Sequence, residues 1–189
     1  MIALIGHPDP LTYAVANALR AQGRPAVICR LVDREPEAEP GGDQIAFRIE
    51  HLGTLLARLA ALGVTEVCLV GAIARPRVDP AQIDALTAPL VPRIAQALRQ
   101  GDDGALRVVM AVFEEAGFAI RATHEIAPAL LPPAGVLSAA RPSPAQEADV
   151  RRAERVHRII APADIGQGVV VRAGQVLAVE AAQGTDWML

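Results

Sequence analysis

An α/β fold, with a doubly wound, mostly parallel sheet followed by a second, smaller unit, is what this 189-residue chain predicts. Two patterns carry that expectation. Short, continuously apolar runs at residues 2–5, 26–31 and 64–70 have the character of strands buried on both faces. Between them lie segments with apolar residues at helical spacing. A strand, crossover helix and parallel strand connect with one hand, which puts helices on both faces of the sheet.

The elements follow in order. Residues 2–5 form the first strand, and the turn-rich Gly6-His7-Pro8-Asp9-Pro10 leads into a helix over 11–22 that Gly23 ends. Pro25 restarts an extended segment, 26–31 is the second strand, and 33–43, rich in Pro, Glu and Gly, is a surface loop. Leu52, Leu55, Leu56, Leu59 and Leu62 space a helix over 51–62, closed by Gly63 before the strand at 64–70. Pro80, Pro89 and Pro92 then punctuate short helical pieces. A longer helix starts near Gly101-Asp102-Asp103, carries Leu106, Val109, Met110 and Phe113 on one face, and ends at Gly117 before a strand over 118–122. Pro128, Pro132, Pro133, Pro142 and Pro144 mark a boundary placed near residue 140. Residues 1–140 are thus expected to form an N-terminal domain and 141–189 the start of a C-terminal one. The latter opens with a polar helix over 144–159, followed by strands at 169–172 and 176–180 joined by Ala173-Gly174-Gln175 as a hairpin.

Composition removes several functions. With 52% hydrophobic and 21% charged residues, most of the chain is expected to be ordered. A net charge of -3 gives no broad attraction for nucleic acid. Every basic residue other than histidine is arginine, so no P-loop lysine, Schiff-base amine or ammonium general base exists. Cys29 and Cys68 sit in apolar runs with no CxxC partner, which makes them core thiols and a reducing cytoplasm the simplest compartment. The opening residues form a strand pattern rather than a leader, and no apolar stretch is long enough to span a bilayer.

Four places carry candidate chemistry. Gly6 ends the first strand where a dinucleotide fold puts its phosphate loop. However, GxGxxG is absent and Pro8 and Pro10 remove two amide donors, which discounts classical NAD binding and leaves a plain turn as the alternative. Gly71, ending a buried strand, allows close backbone approach, and Arg75 offers a planar fork for phosphate; an ordinary surface charge is the competing reading for Arg75. Asp102 and Asp103 suit a helix cap or, through water, Mg2+. Glu180, Gly184, Thr185 and Asp186 have the chemistry of a phosphate or metal-phosphate loop, with a cap for a helix at Trp187 as the competitor. His124-Glu125, read as extended chain, points to opposite faces and is discounted as an acid-base pair.

Several phrases resemble, in order, the Mg-dependent UDP-2,3-diacylglucosamine pyrophosphatases of lipid A biosynthesis. They are His51-Leu-Gly53, Val70-Gly-Ala-Ile-Ala-Arg-Pro76, Gly101-Asp-Asp103 with Leu106-Arg107, Gly117-Phe118 with His124-Glu125, and Gly135-Val-Leu137. Asp164-Ile-Gly-Gln-Gly168, Val169-Val-Val171, Gln175-Val-Leu-Ala-Val-Glu-Ala181 and Gly184-Thr-Asp186 complete the set. The resemblance implies a Rossmann-like N-terminal domain, a separate α/β C-terminal domain, and metal-dependent attack of water on the substrate's pyrophosphate to give UMP and 2,3-diacylglucosamine 1-phosphate. It implies substrate contacts at Gly6, Gly71, Ala72, Arg75 and Thr185, and metal contacts at Asp102, Asp103, Glu180 and Asp186. An apolar cleft for the acyl chains, peripheral contact with the inner membrane from the cytoplasm, and self-association are further expectations.

The chain departs from that pattern in three places. Gly6-His-Pro-Asp9 replaces a glycine-richer loop, and Gln183 stands where an acidic residue is expected. The family's further segment, with its Arg-Phe-Asp-Leu-Pro-like phrase and catalytic aspartate, has no counterpart in these 189 residues, so weak or absent hydrolysis is expected of this chain alone. A nucleotide- or lipid-binding homologue without catalysis, and an enzyme for another nucleotide-sugar, stay open as alternatives.

Overall fold

A computed structural model describes residues 1–7, 9–32, 44–71, 77–97, 99, 102–181 and 183–189. Ala72 and Arg75 lie outside them, as do the side chains of residues 97 and 102. Backbone contacts divide the chain into two units, one of residues 1–95 and 108–132 and the other of residues 96–107 and 133–189.

The first unit is a five-stranded parallel sheet. Strands β1 (Ile2–Gly6), β2 (Ala26–Leu31), β3 (Gln44–Phe47), β4 (Glu66–Val70) and β5 (Ala119–Ile120) lie in the order β3-β2-β1-β4-β5. The chain winds outward from β1 in one direction and then returns to add β4 and β5 on its other side. Helix α1 (Pro10–Ala21) starts at Asp9, whose carboxylate accepts the Thr12 N–H at 2.8 Å, and Pro10 fills the first helical position where its missing N–H costs nothing. Helices α2 (Leu52–Ala61), α3 (Val91–Ala97), α4 (Asp102–Glu115) and the single turn α5 (Thr123–Ile126) follow.

Side-chain alternation gives the sheet two cores. Ala3, Ile5, Val27, Cys29, Ile45, Phe47 and Val67 join Leu52, Leu55 and Leu59 of α2 and Val112 and Phe113 of α4. On the other face, Ile2, Leu4, Ile28, Cys68 and Val70 join Val15, Ala16 and Leu19 of α1 and Ile126 of α5. Period-two strands feeding two helix layers are what the apolar runs demanded.

Three elements differ from the sequence reading. β3 occupies residues that carried no assignment. At four residues it is short, and as the edge strand it needs little apolar signal. β5 has two residues rather than five. His124 and Glu125 belong to α5, not to extended chain, and the Glu125 carboxylate turns back to accept the Ala122 N–H at 2.9 Å.

In the second unit, α6 (Pro144–Ile160) begins with a Ser143–Gln146 capping box and packs on an antiparallel hairpin of β6 (Val169–Arg172) and β7 (Gln175–Val179). Asp149 of α6 fastens the hairpin turn by accepting the Ala173 and Gly174 N–H groups at 2.9 and 2.7 Å. The short helix α7 (Thr185–Met188) follows. None of the described residues of this unit is fully buried. Among the described residues no helix is long and apolar enough to cross a membrane.

Candidate functional site

In the first unit the candidate residues gather at the carboxyl edge of the sheet, where strand order reverses between β1 and β4. Open parallel sheets take ligands there because the strand ends and helix N-termini leave a crevice. Gly6 and Val70 are register partners at that edge. Gly6 is buried, and a Cβ on it would overlap the Val70 carbonyl, so its lack of a side chain is first a requirement of β1–β4 packing. Gly71 follows with φ +77, a left-handed conformation, and a Cβ there would overlap the Asp9 carboxylate. Asp9 thus spans the crevice, capping α1 with one oxygen and closing on Gly71 with the other. The Thr12 hydroxyl donates to the His7 carbonyl at 2.8 Å and fixes the intervening turn. Ala72 and Arg75 fall outside the described residues.

One residue at this edge escaped the sequence reading. Arg30, near the end of β2, pairs in register with Gly6 on one side and Ala46 on the other. Alternation puts it on the α1 face with Ile28. Its Nε–H is shut off from solvent with no acceptor among the described residues. An arginine inside an apolar run reads only as an interruption, so no sequence signal marked it.

The second unit gathers a different set. Glu180, at the end of β7, accepts the Gln167 N–H at 2.9 Å and the Thr185 hydroxyl at 2.6 Å. It therefore ties the 164–168 loop to the start of α7, joining two phrases that are 12 or more residues apart in sequence. Asp186 lies in the first turn of α7 and is exposed. At the start of α4, the Asp164 carboxylate accepts the N–H groups of Asp103 and Gly104 at 3.3 and 3.1 Å. A cap for this helix start is thus supplied from 61 residues away. Asp103 instead pairs with Arg107, Nε to Oδ2 at 2.8 Å, one turn along the helix. Asp164 was quoted in the sequence phrase, yet nothing local betrays its distant partner.

The side chain of Asp102 lies outside the described residues. Among the described residues no three of His, Cys, Asp and Glu converge as donors. Asp103 faces a guanidinium, while Glu180 is engaged by a hydroxyl and an amide.

A third polar cluster is structural. Glu50 is 2% exposed, bonds the Arg48 guanidinium at 3.0 and 3.1 Å, and accepts the Asp79 N–H at 2.8 Å. Burial pushes its carboxyl up, but the Arg48 and Asp79 hydrogen bonds outweigh that and hold it below the usual range. The buried Thr87 hydroxyl accepts the Gly53 N–H at 2.8 Å, and a Cβ on Gly53 would overlap the backbone of Leu86 and Thr87. Burial also pushes the Cys29 thiol up to about 12, against a smaller opposing pull from Arg58, which removes it as a thiolate nucleophile.

The comparisons with known proteins bear on both units. Residues 1–130 match the LpxI N-terminal domain, and residues 133–189 match the LpxI C-terminal domain. The chain belongs to the LpxI family. It is 37% identical, over 195 aligned residues, to the UDP-2,3-diacylglucosamine pyrophosphatase LpxI of Caulobacter vibrioides; the match covers all of this chain and 67% of that relative. Several of the LpxI-like phrases now have physical reasons. His51-Leu-Gly53 holds the glycine that backbone 86–87 crosses, and Asp164 to Gly168, Glu180 and Thr185 form one hydrogen-bonded knot.

Proposed function

We propose that the activity this chain serves is hydrolysis of the pyrophosphate bond of UDP-2,3-diacylglucosamine, which releases UMP and 2,3-diacylglucosamine 1-phosphate in lipid A biosynthesis. The observation that carries this reading is the match to a pyrophosphatase of that name over the whole length of the chain, through both LpxI domains. The parallel sheet in the order β3-β2-β1-β4-β5 supports a Rossmann-like reading, in which a nucleotide takes the crevice between β1 and β4.

Hydrolysis of a pyrophosphate needs charge neutralised on the bridging and terminal oxygens and a water held in line with the leaving group. Gly6 and Gly71 bring backbone close to that crevice, and Arg75 follows Gly71 by four positions in the sequence. In the second unit the Glu180–Thr185 pair presents a hydroxyl held by a carboxylate, suited to fixing the orientation of a phosphate oxygen or a water. The resemblance also brings a divalent metal with it. The described carboxylates make no closed donor set, and EDTA tests the dependence directly. The protein works in the cytoplasm and meets its acylated substrate at the inner-membrane surface.

The test is UMP release from UDP-2,3-diacylglucosamine with Mg2+ and with EDTA, run on this chain and on a version extended to the relative's length. Metal-dependent UMP release is expected from the extended version, and weak or absent release from this chain alone. Turnover of another UDP-sugar with the diacylated compound left untouched would replace the substrate, and UDP binding without any turnover would replace hydrolysis by nucleotide binding.

A further inference from the structure

We infer that Arg30 is a phosphate ligand of the nucleotide site, its Nε–H without an acceptor among the described residues so that a substrate oxyanion can take it. The inference rests on the proposed function above and names a contact on its diphosphate that the sequence did not mark. Three observations carry it. Arg30 pairs in register with Gly6, the last residue of β1, so its backbone lies at the carboxyl edge beside the β1–β4 crevice. It leaves the sheet on the α1 face, the face on which Asp9 opens the helix. Its Nε–H has no acceptor among the described residues although water does not reach it.

A buried donor without a partner is a cost the fold carries for no structural return, and such groups are rare enough to need a reason. The neighbouring arginines show the contrast. Arg24 and Arg121 both reach Glu66, and Arg48 reaches Glu50. Arg30 as a whole is only half-buried, so a change of rotamer can turn its Nε–Nη edge outward. That edge is a planar fork whose spacing matches two oxygens of one phosphate, and binding there exchanges an unmade hydrogen bond for two charge-assisted ones.

The experiment pairs affinity with stability. UDP binding is measured by calorimetry, with uridine as the probe lacking phosphate, for the wild-type protein, Arg30→Lys and Arg30→Met; thermal unfolding is followed without ligand, and UMP release is assayed alongside. Arg30→Met and Arg30→Lys are expected to weaken UDP about tenfold or more, as loss of charge-assisted bonds does, and to leave uridine unaffected. Arg30→Met is expected to keep or raise the melting temperature, because it removes an unsatisfied donor. A lowered melting temperature with unchanged UDP affinity would make Arg30 a structural residue and overturn the inference while wild-type hydrolysis still supports the function. Wild-type protein that neither binds UDP nor releases UMP would overturn both.

Discussion

The first unit fastens its loops with a carboxylate that water barely reaches, and the second makes the same kind of bond at its surface. Glu50 and Glu180 each accept a backbone N–H from a distant loop and each engage one further side chain. Glu50 lies under a unit with two apolar clusters, one on each face of its sheet. Glu180 lies in a unit where no described residue is fully buried and where Ile159, Leu177, Trp187 and Leu189 are 76, 61, 70 and 87% exposed. The difference teaches how to read a hydrogen bond. Under a core, the bond is needed to satisfy groups that solvent has abandoned; at a surface, water would satisfy the same groups, so the bond sets geometry more than stability.

The largest expected effect therefore belongs to the buried staple. Glu50→Ala removes the buried carboxylate that both Arg48 and the Asp79 N–H engage, and breaking such a pair on one side costs about 3–5 kcal/mol. Urea unfolding followed by circular dichroism measures it, and a loss below about 1 kcal/mol would mean that water replaces Glu50 and the contrast with Glu180 has no basis. Next comes Gly6→Ala, where the added Cβ overlaps the Val70 carbonyl and forces β1 and β4 apart, with an expected cost of about 1–3 kcal/mol. A stable Gly6→Ala protein with lost UDP affinity would instead return Gly6 to the role of ligand contact that its position suggested.

These two residues also show how much was legible in advance. The sheet and its helices were readable because burial on both faces leaves unbroken apolar runs at 2–5, 26–31 and 64–70, and because Leu52 to Leu62 repeat at helical spacing. β3 and α5 were not, since an edge strand of four residues and a single helical turn hold too few residues for a period to emerge. At the candidate site, Glu180 and Thr185 were singled out and do meet, but Asp164's hold on the start of α4 was invisible, since its partners are 60 and 61 residues away. Glu50 looked like any charge before a helix. Only the packing above it makes it a staple.

Acid tests the carboxylates of the first unit more gently. Glu50 and Glu66 both sit below the ordinary range in the folded protein. For Glu66 the leading cause is the Arg121 hydrogen bond, opposed by burial and aided by Arg24. A depressed folded value means that the stability is present above the unfolded value of about 4.3 and is lost as the pH falls through the lower folded value. Unfolding free energy is expected to hold from neutrality to about pH 5 and to fall below about pH 4. Glu66→Gln should shallow that fall with a loss of about 1 kcal/mol at neutral pH, since its partners are half-exposed and solvent screens them. An acid limb unchanged in Glu66→Gln would assign the whole fall to other carboxylates.

The smallest expected change in stability is the one that most sharpens the comparison. Glu180→Gln keeps an oxygen for one of the two donors and loses the charge that orders the Thr185 hydroxyl, so the fold should lose about 1 kcal/mol or less. In the version extended to the relative's length, UMP release is expected to fall by about tenfold or more if, as the proposed function has it, this hydroxyl orients a phosphate oxygen or a water, because misdirecting it costs orientation rather than folding. Thr185→Val, which removes the hydroxyl and leaves Glu180 intact, should reproduce the catalytic loss with as little effect on unfolding. If either substitution instead unfolds the second unit, Glu180 is a staple like Glu50 and exposure does not distinguish them. If both leave stability and UMP release alone, the bond between these residues orders a loop that the reaction does not use.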